Sequence, residues 1–372
     1  MTSAPLKPLD VPPYQLQQLL SGIGDNLALG QAIHIRCAQA LGAETYIGLS
    51  NGELLRFAIE QQEAGLANLY TLLSRQSVVN ERPIQEIALL PSLYRALILA
   101  DHQVYIYTLP SLDQIPPTTI KPIRNVVTIA VDEQHMRRPT PVDPAHPADP
   151  VDLCVIKRNA ISLYSLFKER LFFQKEIPLP SGGFFARRTG KWLCVANKEY
   201  YNVIDLETAT MIPVLPVSQA QDGLTIKPSI TVISDNEFLI VSWTGASSLG
   251  LFVTGDGEPV RGTLEWPAHP DSISLDYPYI ATLLPNETIE IHSIDTLEIV
   301  QVVPAPTDAQ VPERKKLAGS ANGFFVPSSQ RSDKLRKTAV RLVRRGAAGS
   351  KGKEADGGAE RAAEDEIPTM SV

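Results

Sequence analysis

Six times along the chain, a short apolar run is followed by a polar turn and then by a second run in which apolar and polar residues mostly alternate. β-Branched and aromatic residues flank the turns, and the turns contain Asn, Asp or Gly, which tolerate the positive φ of a tight turn. This pattern predicts six β-hairpins. They span residues 46–57, 96–107, 153–164, 192–204, 238–253 and 279–292.

Most of these hairpins have a further apolar run before them and another after them, which makes about four strands per unit. A single four-stranded unit cannot cover both of its hydrophobic faces and must stack on its neighbours. The chain is therefore predicted to be all-β, a seven-bladed β-propeller, with a β-sandwich as the competing fold. We expect the seventh blade to join an early strand at 33–38 to two late strands, at 323–327 and 338–344.

The composition changes towards both ends of the chain. Residues 1–29 have no sustained period and predict a lead-in with one short helix at 14–20. Residues 30–345 form the expected propeller, in which the proline-rich stretch 138–150 is a surface loop between strands. Residues 346–372 are small and charged and contain no aromatic residue, so this segment is expected to be a disordered tail.

Charge and cysteine content narrow the function classes. The formal net charge of the 372 residues is −7, which argues against a general polyanion binder and predicts no nucleic-acid partner. Cys37, Cys154 and Cys194 are isolated in apolar runs, so we expect three buried thiols and a reducing, cytoplasmic location. No stretch approaches the length of a membrane span, and no secretory signal precedes the first strand.

No arrangement of residues predicts a catalytic, cofactor or metal site. The fragment 189–192 (TGKW) resembles a phosphate-binding loop, but Phe185 replaces the upstream glycine and Trp192 replaces the hydroxyl residue that would bind magnesium. The six histidines lack zinc-ligand spacing, and no Gly-x-Ser-x-Gly motif is present. A non-enzymatic chain is therefore expected, although a propeller enzyme with dispersed loop residues would escape these tests.

A basic stretch near the C-terminus is the candidate contact with a membrane or partner. It contains Lys334, Arg336, Lys337, Arg341, Arg344 and Arg345. This stretch could be a closing β-strand with solvated charges. It could also be a basic amphipathic helix, which would favour an anionic membrane surface or an acidic partner. For the tyrosine pair at 200 and 201, strand alternation predicts one ring in the core and the other near the surface.

The ordered series of runs resembles a known domain. YIGLSNGELLRF, LPSLYRALILADHQVYIYTLPSL, IKPIRNVVTIAVDE, LCVIKRNAISLYSL, SITVISDNEFLIVSWTGASSLGLFV and YIATLLPNETIEIHSIDTLEIVQVV are similar to runs of the citron-homology (CNH) domain. More narrowly, they resemble its version at the N-terminus of the fungal vacuolar-sorting proteins related to the transforming-growth-factor-β-receptor-associated protein. The resemblance covers about 33–345, and no single motif carries it.

The resemblance implies a seven-bladed propeller that binds a Rab-type small GTPase. Proteins of this family are subunits of the tethering complexes CORVET and HOPS, so other subunits and the endosomal or vacuolar membrane are the further partners it implies. Citron-homology domains also occur in Rho-pathway proteins, so a Rho-type signalling scaffold is the alternative, as is a lipid-surface binding module. Family members continue into a long α-solenoid, and this sequence ends before one.

Overall fold

Each predicted hairpin forms the two middle strands of a four-stranded antiparallel sheet. In the computed structural model, the described residues are 13–20, 33, 35–60, 69–78, 81–143, 148–220 and 223–305, together with strands at 318–320, 323–327 and 332–337. Strand β1 (Tyr14–Leu20) precedes the first complete sheet. The sheets that follow are the blades of a propeller, and the all-β propeller class is thereby confirmed.

Six blades are built from consecutive strands, numbered here in chain order. Blade one contains β2 (Ile35–Leu41), β3 (Glu44–Leu49), β4 (Glu53–Glu60) and β5 (Leu69–Ser77). Blade two contains β6 (Ile84–Leu90), β7 (Arg95–Ala100), β8 (Gln103–Thr108) and β9 (Ile123–Arg124). Blade three contains β10 (Thr128–Val131), β11 (Val151–Ile156), β12 (Ala160–Leu166) and β13 (Leu171–Pro178).

Blade four contains β14 (Phe185–Thr189), β15 (Trp192–Ala196), β16 (Tyr200–Asp205) and β17 (Met211–Pro216). Blade five contains β18 (Ile230–Ser234), β19 (Glu237–Trp243), β20 (Ser248–Thr254) and β21 (Leu264–Trp266). Blade six contains β22 (Ser272–Asp276), β23 (Tyr279–Leu283), β24 (Ile289–Ser293) and β25 (Ile299–Val303). One short helix, α1 (Glu133–Met136), follows β10, and a 3₁₀ turn (Pro91–Leu93) follows β6.

The first strand of each blade lies at the inner side of the ring. These strands contact one another from blade to blade, β2 with β6, β10 with β14, β14 with β18 and β18 with β22. The fourth strands lie at the outer edge and carry most of the exposed residues within the blades. Middle strands such as β7 are buried along their whole length, since both of their faces are covered by neighbouring blades.

The hydrophobic core is divided into layers that lie between neighbouring blades. One layer joins Leu97 of blade two to Leu153 of blade three. The next joins Cys154 of blade three to Leu193 of blade four. Each blade therefore depends on its neighbours to remove its apolar surface from water, as the sequence pattern requires.

A further four-stranded sheet combines strands from both ends of the described chain. In it, β1 pairs antiparallel with β28 (Ser332–Lys337), which pairs with β27 (Gly323–Pro327), which pairs with β26 (Ala318–Ser320). Strand β26 contacts both β2 of blade one and β22 of blade six. We call this group of strands the closing sheet.

Tyr14 is the residue of β1 that attaches this strand to blade six. Its side chain is 2% exposed, and its hydroxyl donates to Asp276 Oδ2 at 2.7 Å. Its backbone N–H donates to Gln301 Oε1 at 2.8 Å, and Gln301 Nε2 donates back to its carbonyl at 2.7 Å. Its ring also meets that of Tyr279 edge to face at 5.8 Å. Both the inner strand β22 and the outer strand β25 of blade six are thus bonded to β1.

The structure corrects three sequence-based predictions. Residues 14–20 form a strand instead of the expected helix, because pairing with Ser332–Lys337 overrides the helix propensity of the Leu and Gln residues. The early strand, expected at 33–38 in a seventh blade, is instead Ile35–Leu41, the inner strand of blade one. Six blades of consecutive strands replace the expected seven. The last described strand is Ser332–Lys337, whereas the predicted strand 338–344 and the predicted tail 346–372 lie outside the described residues, so both stay predictions.

No helix in the described part of the chain has both the length and the apolar character needed to cross a membrane.

Candidate interaction surfaces

A buried charged cluster, here called the clasp, joins blades three and four. Asp132 follows β10 and is 2% exposed, and Arg188 lies in β14 and is 6% exposed. Arg188 Nε lies 3.8 Å from Asp132 Oδ2, and its Nη2 lies 3.6 Å from Asp152 Oδ2. Asp132 Oδ1 also accepts the backbone N–H groups of Gln134, at 3.1 Å, and of Gly190, at 3.2 Å. One carboxylate therefore caps α1 and holds the first turn of blade four.

His135 of α1 completes the clasp as a hydrogen-bond acceptor. The backbone N–H of Asp152 donates to His135 Nδ1 at 3.0 Å, which requires that nitrogen to be unprotonated. Burial lowers the pKa of His135, while the nearby Asp132 carboxylate opposes that shift. Arg188 Nη1 also points at Cys154 Sγ, 3.7 Å away, and burial raises the pKa of this thiol to about 11. The charges of the clasp are satisfied by one another, as expected for a structural joint.

The joint between blades five and six is also buried, but four of its polar side-chain atoms are unpaired. Trp266 Nε1, Thr282 Oγ1, Glu290 Oε2 and His292 Nδ1 are buried without a hydrogen-bond partner. Thr282 and Glu290 are opposite each other in the β23–β24 pairing, and the His292 ring meets the Trp266 ring at 5.5 Å. Burial lowers the pKa of His292 to about 4 and raises the pKa of Glu290.

The joint between blades two and three, in contrast, is open at the rim. Two adjoining cavities of about 510 and 690 Å³ share Lys157 as a lining residue. The first lies among the loops that follow β7, β9 and β11, and the second lies between β9 and the outer part of blade three. Arg124 lines the second cavity and the next residue, Asn125, lines the first. We therefore treat the two cavities as one feature, the blade two–three groove.

The groove exists because the outer strand of blade two is short. Strand β9 has two residues, whereas β5 of blade one has nine and β13 of blade three has eight. The segment before β9 contains Pro116, Pro117 and Pro122, which have no N–H to donate to a sheet. A full outer strand therefore does not form there, and the part of blade three that it would cover remains accessible.

Cationic side chains line this groove. Lys121, Arg124 and Arg158 are exposed, and Lys157 is half-buried. Lys157 Nζ lies 3.4 Å from Glu176 Oε2, the one ion pair described for these four cations. The described residues that line the two cavities include no Asp or Glu. The groove is thus positively charged on a chain whose net charge is −7.

The blade-three wall of the groove is apolar and aromatic. Tyr164 of β12 and Leu171 of β13 line the larger cavity and also pack on the core layer between blades two and three. The Tyr164 ring meets the Phe173 ring edge to face at 5.6 Å, and Phe173 is 49% exposed. On the opposite side, Ile123 and Pro122 of the β9 segment complete an apolar lining.

The outer strands of other blades also expose apolar side chains. In β25 of blade six, Ile299, Val300 and Val302 are 49%, 39% and 52% exposed. In β17 of blade four, Met211 and Ile212 are exposed in the same manner. Exposed apolar groups on a rigid edge are typical of surfaces that contact other proteins.

The structure places only part of the predicted basic contact region. Lys334, Arg336 and Lys337 lie in β28, which favours the strand over the amphipathic helix for this half of the stretch. Arg341, Arg344 and Arg345 lie outside the described residues. The contact role of these six residues therefore stays a prediction. Sequence reasoning missed the groove cations, which come from three separate strands and loops.

The predictions for the tyrosine pair, the three cysteines and the fragment 189–192 are confirmed. Tyr201 is fully buried, donates its hydroxyl to Val241 O at 2.7 Å and accepts the N–H of Ser229 at 3.0 Å, whereas Tyr200 is 45% exposed. The three cysteines are free and buried. The fragment 189–192 forms the tight turn between β14 and β15 and does not precede a helix. Within the described residues, no group of three or more His, Cys, Asp or Glu side chains is placed to hold a metal ion.

Solved structures with the same architecture include two propellers. The AfRom2 CNH domain superposes with a TM-score of 0.53 at 18% identity and covers 87% of this chain and 99% of that one. The WD40 β-propeller domain of Doa1 superposes with a TM-score of 0.58 at 14% identity and covers 89% and 99%. At these identities the likeness supports the fold alone.

Relatives by sequence are longer proteins. Transforming growth factor-beta receptor-associated protein 1 of Mus musculus is 23% identical over 295 residues, which is 77% of this chain and 32% of the relative. Vacuolar protein sorting-associated protein 3 of Saccharomyces cerevisiae is 25% identical over 286 residues, which is 76% of this chain and 26% of the relative. The chain thus spans between about a quarter and a third of the length of these relatives.

A family model described as the VPS3 N-terminal domain matches residues 31–305. The match begins just before β2 and ends just after β25, so it includes all six blades of consecutive strands. The resemblance noted from the sequence runs is thereby confirmed. Since the match extends over most of the chain, the chain belongs to the VPS3 N-terminal domain family.

Proposed function

We propose that this propeller is a non-enzymatic binding module of a membrane-tethering protein in vesicle transport to the endosome or vacuole, and that it binds a Rab-type small GTPase. The observation that carries the proposal is the family match over all six blades. One relative is named as a vacuolar protein sorting-associated protein, which supports the transport role. Other subunits of such a tethering complex and the peripheral membrane surface are the further proposed partners.

The architecture supports a role in binding. A ring of mutually packed blades holds its outer strands rigidly. Some of these strands expose apolar side chains, as β25 does with Ile299, Val300 and Val302. Such residues can be buried against the apolar switch surface of a GTPase without rearrangement of the ring.

A binding panel tests the GTPase proposal. The purified chain is immobilised and exposed to Rab-family and Rho-family GTPases, each loaded with a non-hydrolysable GTP analogue or with GDP. The expected result is binding of at least one Rab at least about tenfold tighter in the GTP form. Selective binding of a Rho-family member would replace the proposal with the signalling scaffold, and the absence of any nucleotide-dependent binding would contradict it.

Two surface variants map the site. Ile299→Ser/Val302→Ser changes the outer strand of blade six, and Met211→Ser/Ile212→Ser makes the matched change in blade four. All four side chains are exposed, so neither variant is expected to unfold the ring. We expect one of the two variants to lose GTPase binding and the other to retain it.

We further propose that the closing sheet joins blades one and six and so stabilises the ring. The contacts of β26 with blades one and six and the attachment of Tyr14 to blade six support this role. Tyr14→Phe removes the hydroxyl bond to the Asp276 carboxylate and is expected to lower the free energy of unfolding by about 1–2 kcal/mol. Tyr200→Phe, which removes the hydroxyl of an exposed ring, is the matched control. Equal unfolding curves for the two variants would argue against a stabilising role of β1.

A further inference from the structure

We propose that the blade two–three groove binds an extended acidic peptide segment of a partner protein, with one apolar side chain of the peptide seated against Tyr164 and Leu171. This site is separate from the proposed GTPase contact and does not depend on it. Three observations carry the inference, namely the charge of the groove, its apolar wall and its concave shape.

The charge of the groove selects an acidic partner. Lys121, Arg124, Lys157 and Arg158 lie along one feature whose described lining residues include no carboxylate. Glu176, which does not line the cavities, forms an ion pair with Lys157. A hydrogen bond from the Ser162 hydroxyl, and to a lesser extent the Lys157 charge, holds the pKa of this exposed glutamate below its usual range. Lys121, Arg124 and Arg158 remain exposed around it. On a chain with net charge −7, such a local concentration of cations attracts anions that the rest of the surface repels.

The apolar wall selects a peptide over a small anion. Tyr164 and Leu171 are half-buried and Phe173 is 49% exposed, so apolar area remains in contact with water beside the cations. An acidic segment with an aliphatic or aromatic residue would cover this area and place its carboxylates against Arg124 and Lys157 at the same time. A free phosphate or carboxylate would leave the wall uncovered.

The shape of the groove disfavours a membrane. Its cations lie along a shallow groove between two blades that is open to solvent, with cavities of about 510 and 690 Å³. A lipid surface is essentially planar and meets cations most effectively when they project from a flat or convex face. An extended peptide chain, in contrast, can lie along an open groove of this size.

A peptide-display selection tests the proposal. A random dodecapeptide library is selected against the immobilised full chain, and the most enriched peptide is synthesised with a fluorescent label for polarisation measurements. The expected enriched peptides contain two or more acidic residues next to an aliphatic or aromatic residue. Enrichment of peptides without acidic residues, or no enrichment at all, would overturn the proposal.

Two charge-matched variants locate the binding. Arg124→Glu/Lys157→Glu reverses two groove cations, and Arg137→Glu/Lys198→Glu reverses two exposed cations outside the groove. The first variant is expected to raise the Kd of the labelled peptide at least about tenfold, and the second less than about twofold. Leu171→Ser, which leaves the charges intact, is expected to raise the Kd as well. Equal binding by both charge variants would show that the peptide sits elsewhere and would overturn the proposal.

Two further measurements separate the other possible occupants. Vesicles containing phosphatidylserine are not expected to bind the chain through Arg124 and Lys157. Vesicle flotation that is lost in the groove variant would assign the groove to a lipid surface and overturn the proposal. GTPase binding is expected to be unchanged in the groove variant. If the groove variant lost GTPase binding, the groove would be part of the GTPase site, and the proposal of a separate site would be overturned.

Discussion

Blade three forms two different joints with its neighbours. Towards blade four, Arg188 is buried against Asp132 and Asp152, and the outer strands β13 and β17 have eight and six residues. Towards blade two, the outer strand β9 has only two residues, and the cations at the joint are exposed or half-buried around a cleft. The same type of sheet thus makes a sealed joint on one side and an open groove on the other.

This difference separates charges that maintain the fold from charges available to a partner. A buried ion pair has already lost its water, so removal of one partner leaves the other charge without compensation. An exposed cation at the rim keeps its water and can exchange it for a ligand. The two joints therefore predict opposite responses to loss of an arginine or a lysine.

The largest expected effect is at the sealed joint. Arg188→Met retains much of the side-chain volume but leaves Asp132 buried at 2% exposure without its cation. We expect the free energy of unfolding to fall by about 3–5 kcal/mol, measured by denaturant unfolding. Arg158→Met, in the groove, is the control and is expected to change stability by less than about 0.5 kcal/mol. Equal losses in the two variants would remove the distinction between the joints.

The clasp shows why the sequence could not reveal this joint. The six hairpins were predictable because each one is local, with alternating residues around an Asn, Asp or Gly turn. The ion pair between Arg188 and Asp132 joins residues 56 positions apart in the sequence. The hydrogen bond from Gly190 N–H to Asp132 joins residues 58 positions apart. Only the stacking of blade three on blade four brings these groups together, and no local pattern encodes that stacking.

The groove was hidden for a related reason, although one signal was present. Pro116, Pro117 and Pro122 mark a segment that cannot form a full outer strand. That signal predicts a short strand, but it does not show that Tyr164 of the next blade becomes accessible. The strand at Tyr14–Leu20 was likewise mistaken for a helix, because its partner Ser332–Lys337 lies at the other end of the chain.

The joint between blades five and six sharpens the comparison through its dependence on pH. Burial lowers the pKa of His292 from 6.5 to about 4, so the unfolded chain binds a proton between these values while the folded chain does not. Stability from this residue is therefore complete above pH 6.5 and is lost as the pH falls towards 4. Between pH 7 and pH 5 the expected loss is about 2 kcal/mol.

The variant His292→Phe isolates this contribution. The difference in unfolding free energy between the natural chain and the variant is measured at pH 7 and at pH 5, so that groups common to both proteins cancel. Burial raises the pKa of Glu290, so this residue has the opposite dependence. Its contribution to stability falls as the pH rises above the ordinary pKa of a glutamate. A difference that does not change between the two pH values would mean that His292 is not held neutral by burial.

The smallest expected effect is at the open joint. Lys157→Met removes the 3.4 Å ion pair with Glu176, a residue whose side chain is 49% exposed. Because water screens such a pair, we expect the free energy of unfolding to change by less than about 0.5 kcal/mol in denaturant titration. Lys191→Met, which removes the 3.1 Å pair with Asp205 at the exposed turn of blade four, is the matched control. If Lys157→Met alone lost several kcal/mol, this lysine would be a structural charge like Arg188. The joint between blades two and three would then be held by charges in the same way as the joint between blades three and four.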